Sequence, residues 1–157
     1  MIEQTTSMAH RLSRLLAWIG GGMLLGASAL VTVDVLARRL FNTTLGGADE
    51  ITGYCFAVGT SLSLAFALFE RAHIRIDAAY QFMPTRIRIT LDIIGVAALT
   101  GFTALIAWMG WGLVADTLQY NSRSITPLNV PLAIPQIPWL MGWFFAVVAG
   151  VLLLITA

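Results

Sequence analysis

Four stretches of the chain stay free of charge for long enough to cross a membrane. Nineteen uncharged residues separate Arg14 from Asp34 and nineteen separate Glu50 from Glu70; 23 lie between Asp92 and Asp116, and no charge follows Arg123. A helix needs about 20 predominantly apolar residues to cross a hydrocarbon layer of roughly 30 Å. Barrel strands would instead alternate polar and apolar residues over segments of about ten, which these runs do not. The pattern predicts an all-α integral membrane protein with four transmembrane helices. Their approximate extents are 13–36, 50–70, 89–115 and 134–156, within one domain over residues 1–157.

The polar residues gather between these runs. Asp49 and Glu50 open the second span, where carboxylates complement exposed amides and the positive end of the helix dipole. Asp34 and Arg38 are four apart and share a face if the first helix continues past the membrane. Pro127, Pro131, Pro135 and Pro138 precede the last span and cannot belong to regular helix throughout, so a kinked external loop is expected there. The first apolar run is too long for a secretory h-region and is followed by Asp34, Arg38 and Arg39, which predicts a retained span. Arg11, Arg14, Arg71, Arg75, Arg86 and Arg88 fall on one side of this plan; Arg38, Arg39 and Arg123 fall on the other. The Arg-rich side is cytoplasmic by the positive-inside bias, which places both termini inside and the proline-rich loop outside.

Composition narrows the function. Charged residues make up 11% of the chain and the net charge is +1, so no basic block exists to neutralise a row of phosphates and nucleic acid is not a partner. The spans carry no central Asp, Glu, Arg or His, the residues that self-sufficient ion or proton carriers place at depth. Their polar atoms are hydroxyls: Ser28, Thr32, Thr60, Ser61, Ser63, Thr100 and Thr103. Such groups commonly bond to carbonyls one turn back in their own helix. The two histidines, His10 and His73, have no metal-binding spacing, and no nucleophile has a sequence-evident base. No catalytic, cofactor-binding or metal-binding residue is expected, and structural phospholipids are the one bound component the sequence allows for. Small residues at helical spacing mark close-packing faces, toward neighbouring helices or a partner subunit. They are Gly22 and Gly26 in the first span, Ala97 and Gly101 in the third, and Gly142, Ala146 and Gly150 in the fourth. Trp108, Trp111, Trp139 and Trp143 read as an aromatic belt.

Several local sequences, taken in order, resemble one family. Asp34-Val35-Leu36-Ala37-Arg38-Arg39-Leu40-Phe41-Asn42 closes the first span, and Gly47-Ala48-Asp49-Glu50 opens the second. Glu70-Arg71-Ala72-His73-Ile74-Arg75-Ile76-Asp77 follows the second span, and Arg123-Ser124 with Pro127 and Pro131 follows the third. Over about residues 10–150 the chain resembles the small membrane subunit (DctQ-like) of tripartite ATP-independent periplasmic (TRAP) transporters. The proline run from Pro127 to Pro138 is richer than that pattern.

The resemblance implies a bacterial inner-membrane protein that scaffolds a larger, elevator-type membrane subunit. It also implies a periplasmic solute-binding protein as partner and sodium-driven uptake of an organic acid. On that topology Asp34, Arg38, Arg39, Asp49, Glu50 and Arg123 lie on the outer face, where they would contact the large subunit or the binding protein. Local capping and snorkelling side chains compete with that role. On the inner face His73, Arg75 and Asp77 alternate with isoleucines and would dock at lipid headgroups or tie the second span to the third. The alternative function is a self-sufficient small oligomeric exporter or channel, against which Asp34 stands at the end of its span rather than within it.

Overall fold

A computed structural model describes residues 2–70 and 84–156, the side chains of residues 2–5 aside. Four helices account for nearly all of it: α1 (Ile2–Phe41), α2 (Ala48–Phe69), α3 (Thr85–Tyr120) and α4 (Ala133–Thr156). All four are long and apolar enough to cross a membrane. At 1.5 Å per residue they measure about 60, 33, 54 and 36 Å. Both long helices stop at an asparagine with left-handed backbone, Asn42 (φ 52°) and Asn121 (φ 48°), a conformation in which asparagine is favoured over other non-glycine residues.

The proline-rich segment divides differently from the expectation. The loop runs only from 121 to 132, and helix α4 already includes Pro135 and Pro138. Pro135 occupies the first turn, where an amide would lack a helical partner in any case. Pro138 lies inside the helix and leaves one carbonyl of the turn before it without its donor.

The helices pack in a row, α1 on α2, α2 on α4 and α4 on α3. Lipid tails are as apolar as leucine, so the contacts depend on close approach at small residues rather than on a hydrophobic drive. At the first seam a Cβ on Gly20 would sit 2.5 Å from the carbonyl oxygen of Gly59, and one on Gly59 would sit 2.8 Å from that of Gly20. At the second seam a Cβ on Gly142 would come within 2.6 Å of Ser61, and Ala65 and Leu68 bury against Ala146 and Ala149. At the third, Gly110 lies under the ring of Trp139 and Gly150 abuts Thr100.

These pairs also fix direction and register. Partner numbers differ by a near-constant amount across α2·α4, so those helices run parallel. They sum to near-constants across α1·α2 and α3·α4, so those run antiparallel. We call the end holding the 42–47 and 121–132 connections the outer end. The register leaves α1 extending beyond α2 at both ends, by about 15 Å outside and 12 Å inside, while α3 passes α4 by about 13 Å inside.

Gly142, Ala146 and Gly150 are therefore seam residues. Among the described residues a Cβ on Gly22 or Gly26 would meet nothing within 4 Å, and α1 uses Gly20 instead; Ala97 and Gly101 likewise lie on an open face of α3. Those two stripes are left for lipid or a partner.

Candidate functional site

At the outer end two carboxylates knit the connections to the helices. Asp34 sits on the part of α1 that overhangs α2, and only 4% of its side chain is exposed. Its Oδ1 accepts from the Thr44 hydroxyl at 2.9 Å and the Leu45 amide at 2.7 Å, while Oδ2 accepts from Arg38 Nη2 at 2.6 Å. The helix carries Asp34 and Arg38 one turn apart on one side, and the linker doubles back to supply the other two donors. A buried carboxylate needs such partners, and here all three are charge-assisted hydrogen bonds.

Glu50 plays the matching part at the start of α2. Its Oε1 accepts from the Tyr54 hydroxyl at 2.6 Å, one turn on, and its Oε2 accepts from the hydroxyl of Thr126 in the α3–α4 loop. That loop is held in turn by its own backbone. Ser124 N–H donates to Val130 O at 2.9 Å and Leu132 N–H to Ser122 O at 3.1 Å, around an isolated antiparallel bridge between Arg123 and Pro131. Gly47 (φ 98°), immediately before α2, lies directly beneath the Leu128 side chain. No side chain fits there, and the left-handed backbone would strain one anyway. The polar clasp and this contact join the two outer connections into one rim.

The remaining predicted residues spread over the same rim. Arg123 reaches Asn129 O at 3.4 Å, and Arg39 and Asp49 lie exposed on the flanks. Ile125 stands fully exposed at the tip of the loop. His73, Arg75 and Asp77 lie outside the described residues. Thr44, Thr126 and Leu128 are not marked by any pattern in the sequence, and Gly47 enters there only as part of the Gly47-Ala48-Asp49-Glu50 motif. Only the Glu50/Tyr54 spacing of four offered a signal, because Thr126 is 76 residues from its partner.

The seven hydroxyls that the sequence pointed to within the spans turn back on their own helices. Ser28, Thr32, Thr60, Ser63 and Thr100 donate to carbonyls four residues back, and Ser61 and Thr103 to carbonyls three back, at 2.7–2.9 Å. Trp139 and Trp143 contact edge to face, as do Trp111 and Phe144. Among the described residues no group of three or more His, Cys, Asp or Glu could hold a metal ion.

A family model described as the DctQ component of tripartite ATP-independent periplasmic transporters matches residues 27–157. The sialic acid TRAP transporter permease protein SiaT of Haemophilus influenzae (strain 86-028NP) is 25% identical over 77 residues. That stretch is 49% of this chain, and it is 12% of the relative's own length. No solved structure matches the chain.

Proposed function

The chain belongs to the DctQ-component family of tripartite ATP-independent periplasmic transporters, and on that footing we propose that it scaffolds a larger membrane subunit and helps dock a solute-binding protein. It is a transporter component rather than an enzyme, and a multi-pass protein of the bacterial inner membrane. In the proposed assembly the larger subunit moves the solute by an elevator motion driven by sodium, the solute is an organic acid, and both termini of this chain face the cytoplasm.

The observation that carries the reading is the braced outer rim. A subunit that holds a moving neighbour must itself stay rigid, and Asp34 and Glu50 spend their hydrogen-bonding capacity on fixing the two outer connections. The exposed Arg39, Asp49, Arg123 and Ile125 then stand on a fixed platform. The large apolar side chains along α1 and α3, among them Leu25, Val33, Phe102 and Trp108, are exposed and give the edges of the row surfaces for lipid or the larger subunit. Structural phospholipids fit the same edges. On this reading His73, Arg75 and Asp77, which lie outside the described residues, dock at lipid headgroups or tie α2 to α3.

Reconstitution tests the proposal. Vesicles holding this chain alone should take up no solute, and adding the large subunit and the binding protein should produce sodium-dependent uptake. Uptake by the isolated chain would overturn the reading in favour of a self-sufficient carrier.

A further inference from the structure

The charge-free runs of neighbouring helices do not lie level with one another. Close contacts set the register: Gly20 against Gly59, Ser61 against Gly142, Thr100 against Gly150 and Gly110 against Trp139. On it Arg14 lies level with Ala65 of α2, and Asp34 stands above the first residue of that helix. Asp116 of α3 lies level with Gly53, while Asp92 falls beyond the inner end of α2, about 12 Å past Phe69. The midpoints of the three charge-bounded runs therefore step steadily inward along the row. Leu24 of α1 is level with Cys55, Thr60 is the midpoint of the α2 run, and Ala104 of α3 is level with Ala65. Helix α4 carries no charge and sets no depth of its own.

With upright helices, only the levels from Gly53 to Ala65 would be free of charge on every helix, a belt of about 18 Å against a hydrocarbon layer of roughly 30 Å. Arg14 and Asp116 are both exposed at the borders of that belt. An arginine can snorkel outward, but an aspartate is too short, and a carboxylate in hydrocarbon is costly. Tryptophan points the same way independently. Trp18 and Trp111, exposed on the two edge helices, lie level with Ser61 and Val58. Upright helices would put both indoles near the bilayer centre rather than at the interface they favour.

We propose that the hydrocarbon of the bilayer contacts this protein along an oblique belt, the row of helices being tilted along its own length by roughly 30°. The belt passes from Arg14–Asp34 on α1 through Glu50–Glu70 on α2 to Asp92–Asp116 on α3. The midpoints step by about 15 Å across three seams of about 8–10 Å each, and that slope is the tilt. Asp34, Glu50 and Asp116 then come to one depth outside, and Arg14, Glu70 and Asp92 to one depth inside. Each charge-free run, set at that angle, covers about 25–30 Å of bilayer thickness. Trp18 moves to about 8 Å on the inner side of the midplane and Trp111 to about 9 Å on the outer side, where their rings reach toward the two interfaces.

Spin labels on the full chain in lipid vesicles test the belt. Their depth is read from the ratio of collisions with oxygen to collisions with a water-soluble nickel complex, which rises toward the bilayer centre. In a Cys55→Ser background, Ile19→Cys and Leu25→Cys sample α1, and Leu105→Cys and Met109→Cys sample α3; all four side chains are exposed. On the oblique belt the labels at 25 and 105 lie near the midplane, and those at 19 and 109 lie about 6 Å shallower. The ratio should therefore be higher at 25 than at 19, and higher at 105 than at 109. An upright bundle reverses both orders, because Ile19 and Met109 are the positions level with Thr60. Equal or reversed ratios on either helix would overturn the proposal. Polarised infrared spectra of the unsubstituted chain in oriented bilayers should give a mean helix tilt near 30°, and a mean close to upright would equally refute it. Neither readout depends on whether the chain scaffolds a transporter.

Discussion

Replacing Asp34 by alanine would strand three donors at once: the Arg38 guanidinium, the Thr44 hydroxyl and the Leu45 amide. The first retreats to water, but the Leu45 amide loses the acceptor that pins the 42–47 connection. Its hydrogen exchange should accelerate selectively, with protection in the middle of α1 unchanged. Equal exchange before and after the substitution would mean that the linker is held by something else. Thr126→Val makes the parallel case at the second clasp, since it keeps the shape and removes the donor to Glu50. Exchange should rise in 121–132 while the seams stay protected. Spacing made half of this visible in the sequence. Asp34/Arg38 and Glu50/Tyr54 lie four apart on helices, where a local rule applies. Thr126 and Glu50 meet only because two connections from different parts of the chain arrive at one end, and no local rule encodes that.

Helix existence was legible because the bilayer demands charge-free length, a property that can be counted along the chain. Helix pairing was not. In water a helix shows its buried face by apolar periodicity, but beside lipid both faces are apolar and the signal disappears. What remains is the distribution of small residues, and it misleads when a helix has more of them than one contact can use. In α1 Gly20 meets α2 while Gly22 and Gly26 face outward. The difference gives a paired prediction. Gly142→Leu must displace Ser61 at the α2·α4 seam and should destabilise the fold by about 1–3 kcal/mol, the usual cost of overpacking. Gly22→Leu, which meets open space, should leave unfolding in detergent unchanged. Steric-trapping or denaturation curves measured side by side decide whether the seams are the ones described.

At the scale of the whole molecule, the proposed division of labour between a rigid rim and apolar edges predicts where damage shows. Charge reversal at the exposed Arg39, Asp49 or Arg123 should impair uptake by the full assembly and leave the isolated chain as stable as before, because such rim groups contribute little to stability. Asp34→Ala should lower both. A charge reversal that unfolded the chain would reclassify its residue as structural. The row of helices carries one more implication, for how the protein is made. Consecutive helices pair as α1 with α2 and as α3 with α4, and the one seam that joins these hairpins is the parallel contact through Gly142, Ser61 and the alanines beside them. Each hairpin can thus enter the bilayer as a finished insertion unit while the ribosome is still working, and meet the other by lateral diffusion. Cut between residues 71 and 83 and supplied as two polypeptides, the protein should reassemble from its halves.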